Sequence, residues 1–195
     1  MKDKVSRYGA PDINTLPDDI RERILKVQEK AGFIPNVFLA LAHRPEEFRA
    51  FFAYHDALME KPSGLTHGER EMIVVATSGI NQCTYCVVAH GAILRIREKS
   101  ATVADELATN YRTANISARQ KVMLDFALKV SLRAYEVDEL DYETLREHSF
   151  SDEDIWDIGA VAAFFALSNR MAGLIDMRPN PEFFNMAREF RKKQD

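Results

Sequence analysis

The sequence predicts an all-α protein, and three observations carry that prediction. Its seven prolines stand at 11, 17, 35, 45, 62, 179 and 181, leaving Ser63 to Arg178 free of the residue that most often breaks a helix. Apolar residues recur at helical spacing, as in Ile20, Ile24 and Val27. A Ser or Thr followed three residues later by Glu, Gln or Asp opens several apolar runs, the signature of a helix N-terminus whose first amide groups are capped.

In chain order, Pro17 opens the first helix, DDIRERILKVQEKAG, and Gly32 supplies its stop. Ile34-Pro35 begins a short apolar helix through Leu41, and Pro45 another through Phe48, Phe51, Phe52 and Leu58, which Pro62-Ser63-Gly64 breaks. Thr66 with Glu69 then caps a helix whose residues from Met72 to Ile80 are nearly all apolar, so it is expected to be buried on every side and to end at Gly79. Arg70 is expected to face water. A second helix follows from Asn81 or Gln82 to about Glu98. Ser117 with Gln120 caps a helix through Val122, Leu124, Phe126 and Val130, a weak echo of the Thr66 helix; Asp138 to Glu147 forms a short one. Ser151 with Asp154 opens the last long helix, carrying Ile155, Ile158, Val161, Phe164, Phe165 and Leu167. The whole reads as one domain: an N-terminal helical segment over 1–62, a core over 63–178, and a tail helix over 179–195 whose basic run from Arg188 to Lys193 is a solvated end. MIVVATSGI is β-branched enough to be a strand leading into a thioredoxin-like CxxC, but no proline downstream before residue 179 supplies the cis-proline loop of such proteins.

The composition narrows function. With 195 residues and 46% hydrophobic content the chain can bury a substantial core. Its 26 basic and 30 acidic residues give a net charge of -4, which offers no electrostatic footprint for nucleic acid or an anionic membrane. The N-terminus lacks the apolar stretch of a secretory signal, and no run approaches the ~18 apolar residues of a bilayer span, so a cytoplasmic protein is expected. In a reducing compartment two cysteines are seldom a permanent staple. A CxxC there points to catalysis or metal binding.

The cysteines, Cys83 and Cys86, stand with His90 at i, i+3 and i+7, on one face of a helix near its start. The helix N-terminus favours a thiolate, and an imidazole a turn away can take its proton. Glu71, on the preceding helix in line with Val75 and Ser78, is the candidate to orient that imidazole, because the short turn between the helices must bring them together. Structural zinc would need four ligands, and no second cysteine knuckle exists. His43 and His67 read as structural or solvated. Phe48, Phe51, Phe52, Phe164 and Phe165 read as core or subunit interface, and Asn169-Arg170, polar late in an apolar helix, reads as either a binding element or a helix-end salt bridge.

Glu71, Cys83, Cys86 and His90 form the pattern E-x11-C-x2-C-x3-H, which resembles the signature of AhpD-type alkyl hydroperoxidases within the carboxymuconolactone decarboxylase-like superfamily. The likeness is densest from Leu65 to Arg95. GFIPNVFLALAHRPE and SFSDEDIWDIGAVAAFFALSNRMAG extend it toward the group called peroxidase-related proteins. The resemblance implies an AhpD-like helical array in which Cys86 attacks a peroxide and becomes a sulfenic acid, Cys83 closes a disulfide with it, His90 is the base for Cys86, and Glu71 completes a proton relay. It further implies no bound cofactor, an external dithiol reductant such as dihydrolipoamide or a thioredoxin-like protein, and a homo-oligomer, trimeric or hexameric. One position departs from the pattern. Tyr85 stands where the best-known members carry a histidine, and a tyrosine is no ready base at neutral pH. Two other functions stay open on the residues alone: a lactone decarboxylase like the superfamily's founding members, and a redox-sensing module whose CxxC forms mixed disulfides with a partner.

Overall fold

A computed structural model describes residues 4–189, and all regular elements among these are helical. Ten α-helices run in chain order: α1 Asp18–Ala31, α2 Asn36–Leu41, α3 Pro45–Met59, α4 His67–Ile80, α5 Thr84–Glu98, α6 Val103–Asn110, α7 Ala118–Arg133, α8 Glu139–Glu147, α9 Asp152–Leu174 and α10 Pro181–Asn185. Among the described residues no helix is long and apolar enough to cross a membrane.

The capping residues act as their chemistry demands. Thr66, Ser117 and Ser151 each accept a hydrogen bond from the backbone amide of the residue three positions on, Glu69, Gln120 and Asp154, whose own side-chain oxygen accepts one from the backbone amide of the cap residue. Asp138 and Asp141 form a fourth such box at the start of α8. Gly32 ends α1 in the left-handed region at φ 82°, which glycine adopts without a Cβ penalty. The helix that sequence analysis passes over is α6. Its Thr102 makes no side-chain cap and the helix is short, so only Val103, Ala104 and Leu107, buried against α4 and α5, betray it.

Helix α4 is the hub, packed against α5, α6, α7 and α9, with every residue from Gly68 to Ser78 buried. The echoing pair α4 and α7 both lie on α9. Around them lies the main core, in which Ile73, Val74, Val75, Leu94, Leu124, Ile158 and Phe165 meet. A second cluster joins Cys83, Cys86, Tyr85, Ala89 and Ala172 to Phe33, Ala40 and Phe183, and a third joins α1 to α3 through Ile20, Ile24, Phe48 and Phe52. The phenylalanine stripe is therefore mostly core, Phe51 and Phe164 touching at 4.8 Å between ring centroids.

Three expectations need correction. Arg70 does not face water but is 1% exposed. It lies on the buried face of α4 and donates to the Met59 carbonyl (3.2 Å), the Lys61 carbonyl (2.7 Å) and Ser63 Oγ (2.7 Å), tying down the loop between α3 and α4. Charge burial is tolerated because those acceptors replace water. Gly79 does not end α4, which continues to Ile80; its missing Cβ instead admits α6, since a Cβ there would stand 2.5 Å from the Ala108 carbonyl oxygen. Among the described residues the tail is helical over Pro181–Asn185, after which Arg188 pairs with Asp105; the remainder of the expected tail helix, 190–195, with the basic run 190–193, lies outside the described residues.

The segment from Asn180 to Met186 is fastened to α5 and to the α1–α2 connection. Buried Arg95 of α5 donates to the carbonyls of Phe183 (2.8 Å) and Met186 (2.9 Å), and Asn180 bridges to the α1–α2 connection through Ile34 and Asn36. His43 and His67 each hold a nearby backbone carbonyl through Nδ1, which fits a structural part.

Because the atom opposing residue 79 is backbone and cannot move aside, Gly79→Ala is expected to destabilise the fold by ~1–3 kcal/mol, read as a lower urea midpoint at unchanged slope.

Candidate active site

Cys83 is the N-cap of α5, its backbone extended at φ -89°, ψ 94°, and Cys86 lies in the first turn. The turn from α4 is tight: Gln82 takes a left-handed φ of 55°, and the Cys83 amide donates to the Ser78 carbonyl at 2.9 Å. This reversal lays α5 back along α4 and brings Glu71 to His90, whose Nδ1 lies 2.8 Å from Glu71 Oε2. With the carboxylate accepting from Nδ1–H, the ring is held in the tautomer that leaves Nε2 for other work. Phe165 of α9 meets the imidazole edge to face at 4.7 Å, fixing its plane.

Both cysteines are free and buried. The Cys83 thiol is lowered from its ordinary value to about 6, first because the Cys86 thiol donates to it, and further by the Cys86 backbone amide, the Asn169 side chain and the charge of His90, all against the cost of burial. Cys86 moves the other way: it gives up its hydrogen bond to Cys83, is more deeply desolvated, and stays protonated well above the ordinary range. The pair titrates as a unit. The two shifts run in opposite directions and favour the anion on Cys83 over Cys86. The leading cause is the neighbouring Cys86 thiol, with the Cys86 backbone amide in the first turn of α5 adding to it.

A cleft of about 1220 Å³ opens onto this site between the N-terminal helices and α4, α5 and α9. Cys86, His90, Glu71 and Ser168 line its floor, while Phe52 and Phe165 are among its aromatic walls. Cys83 is the less buried residue, at 7% exposure against 1%, yet of the two it is Cys86 that lines the cleft.

Several residues at the site escape the sequence reading. Ser168 Oγ lies 3.8 Å from Cys86 Sγ, and its neighbour Asn169 joins Ser78 and Asn81 by hydrogen bonds. Their only sequence signal is polarity inside helices that are otherwise apolar. His55 of α3 also lines the cleft; burial lowers its pKa, and its Nδ1 is 3.1 Å from Asp56, which Arg23 clamps through both oxygens. Tyr85 is buried, its hydroxyl accepting from the Val37 amide at 3.1 Å, and burial pushes its own ionisation far up. It therefore anchors α2 to α5 and takes no part as a base. Among the described residues no three His, Cys, Asp or Glu side chains converge as a metal-holding group.

The carboxymuconolactone decarboxylase family model matches residues 45–129, from the start of α3 to near the end of α7. An uncharacterized peroxidase-related protein with an alkylhydroperoxidase AhpD core, from Ralstonia eutropha JMP134, superposes with a TM-score of 0.95 at 68% identity, covering 96% of this chain and 98% of that one. An uncharacterized peroxidase-related protein from Silicibacter sp. TM1040 superposes at 0.91 with 42% identity, over 96% of this chain and 100% of the other. A protein of unknown function from Agrobacterium tumefaciens, named as a candidate antioxidant-defence AhpD, gives 0.63 at 25% identity over 72% of this chain and 94% of its own. No curated protein matches. The fold and these likenesses define an AhpD-like helical protein. The chain belongs to the AhpD/carboxymuconolactone decarboxylase-like superfamily, among its peroxidase-related proteins.

Alkylation of the reduced protein by iodoacetamide is expected to rise half-maximally near pH about 6 and to mark Cys83 first, as read by mass spectrometry of the peptides. Cys86→Ala, which removes the leading cause of the shift, is expected to carry that half-point up toward the ordinary thiol value of ~8.5.

Proposed function

We propose that the protein is a thiol-dependent peroxidase that reduces hydrogen peroxide or organic hydroperoxides through a Cys83–Cys86 dithiol/disulfide cycle. The observation that carries the reading is that Cys86 lines one cleft together with the His90–Glu71 dyad, while the neighbouring Cys83 thiol is shifted toward its anion.

The chemistry runs in two steps. His90 Nε2 takes the Cys86 proton as the sulfur attacks the outer peroxide oxygen; the O–O bond breaks, and the leaving oxygen receives that proton as alcohol or water. Cys86 is now a sulfenic acid. The Cys83 thiolate attacks the Cys86 sulfur, hydroxide departs and takes a proton from solvent, and the disulfide closes. Glu71 keeps the imidazole aimed and stabilises its charged form. Two electrons and two protons from an external dithiol, dihydrolipoamide or a thioredoxin-like protein, restore the pair. No resident cofactor or metal enters this scheme.

The protein is read as cytoplasmic and as a homo-oligomer, trimeric or hexameric. Support for assembly comes from the apolar Trp156, Leu167 and Leu174 of α9, exposed at 70%, 52% and 64%.

A steady-state assay with peroxide and excess dihydrolipoamide or thioredoxin tests the proposal. Turnover is expected, with Cys86→Ser abolishing it, His90→Asn slowing it on the order of 100-fold or more, and Glu71→Gln slowing it less. Mass spectrometry after an equivalent of peroxide should find an intramolecular Cys83–Cys86 bridge. Lactone turnover that survives Cys86→Ser would replace the proposal with a decarboxylase, and failure to consume several peroxides with any dithiol would leave a redox-sensing module.

A further inference from the structure

The cleft holds a second imidazole whose surroundings repeat those of His90. His55 of α3 has Nδ1 3.1 Å from Asp56 Oδ1, and Arg23 Nη2 of α1 donates to both oxygens of that carboxylate, at 3.0 and 2.8 Å. Burial works against the Asp56 charge, but the hydrogen bonds from His55 and Arg23 outweigh it and hold the carboxyl ionised. An ionised carboxylate only accepts, so the His55 hydrogen sits on Nδ1 and Nε2 keeps its lone pair. Burial of the imidazole, against the Asp56 hydrogen bond, lowers its own pKa, and the ring is neutral near pH 7.

Aromatic neighbours fix the ring, with Phe52, Phe164 and Phe165 at 6.3, 6.1 and 6.3 Å between centroids. Phe165 also carries His90, and besides Asp56 the titratable groups that act on His55 are His90 and Glu71. Thus α3 and α5 each present to one cleft an imidazole whose Nδ1 is bound to a carboxylate. Among the described residues no group donates to His55 Nε2, and the atom is not sealed from solvent either, so it opens on the cleft that the residue lines. The proton scheme above employs His90 and leaves this second acceptor without a part. The cleft is also large for a small peroxide. Its volume of about 1220 Å³ exceeds the ~300–1,000 Å³ of ordinary ligand pockets, and at ~30 Å³ per water hydrogen peroxide would fill only a corner of it.

We infer that His55 is a substrate-binding residue, its Nε2 accepting the terminal O–H of an organic hydroperoxide whose bulky apolar body lies against Phe33, Phe38, Phe52 and Phe165 of the cleft. Asp56 and Arg23 are its positioning residues, since they fix the tautomer that leaves Nε2 bare. This rests on the peroxidase reading and narrows its substrate from any peroxide to one with an apolar body. His55 neither gives nor takes a proton. The oxygen it holds is the outer one that Cys86 attacks, the O–O bond breaks as described, and His90 returns the proton to the leaving oxygen.

Nitrogen NMR of the reduced protein with isotope-labelled histidine tests the site without turnover, the His55 signals being assigned by their loss in His55→Gln. They are expected to show hydrogen on Nδ1 and a bare Nε2. The Nε2 resonance should move toward the protonated range as cumyl alcohol, which has an aromatic body and one O–H, is titrated in. Hydrogen on Nε2, or a resonance that the alcohol leaves unmoved, would overturn the inference. In steady state the wild type is expected to favour cumene hydroperoxide over hydrogen peroxide in kcat/KM. His55→Leu, shown to be folded by circular dichroism, should raise KM for cumene hydroperoxide roughly tenfold or more and change kcat far less. His55→Gln, which carries an oxygen acceptor near the Nε2 position, should recover part of that loss, as a merely structural side chain would not. Equal or better use of hydrogen peroxide by the wild type, or an unchanged KM in the Leu variant, would also sink it. If the Leu variant does not fold, the alcohol titration of the wild type decides. If no peroxide is turned over, the peroxidase reading fails, while the titration still decides whether His55 takes the hydroxyl of an apolar guest.

Discussion

The arrangement depends on one reversal of the chain, the hydrogen bond from the Cys83 amide to the Ser78 carbonyl that closes the turn between α4 and α5. Because α4 is buried on all sides, its few polar side chains cannot turn to water and must find partners on neighbouring helices. The turn supplies them. It sets His90 opposite Glu71 and the first turn of α5 beside Ser78, so the constraint that makes α4 a hub also assembles the reactive groups. Gly79 belongs to the same economy of space, letting α6 close against α4 where a side chain would hold it off.

Two sulfurs placed a helical turn apart in such a site cannot both be charged. Burial disfavours each anion, and each anion disfavours the other, so the pair shares one charge and one proton. The Cys86 thiol and then its backbone amide favour the anion at Cys83, whereas the cleft reaches Cys86. That separation suits a reaction needing both a sulfur that meets substrate and a nucleophile kept in reserve. The N-terminal helices complete the enclosure: Tyr85 fastens α2 to α5, and α1 and α3 form the far wall of the cleft with His55 and Phe52. The C-terminal segment is held from below by Arg95.

Much of this was legible in the sequence because it is written locally. A capping residue and its return partner lie three positions apart, and the Cys83, Cys86 and His90 spacing needs only helical periodicity to be read. Glu71 was within reach because so short a turn leaves two helices few ways to pack. The parts other residues play depend on distant segments and cannot be read locally. Arg70 looks like a surface charge until the loop from Met59 to Ser63 folds over it, and Asn169 gains its meaning from Asn81, 88 residues away. Helix α6 has no cap to announce it, and Gly79 reads as a stop because its true neighbour, Ala108, is remote in sequence.

The amino-acid order by itself determined an all-α chain, most of its helix starts, and the residue types that meet at the site, since caps, periodicity and spacing act over a few positions. Tertiary structure alone decided which of the two thiols the surroundings make more acidic and which one lines the cleft. Those outcomes depend on desolvation and on donors brought in from other helices, and neither exists until the helices are packed.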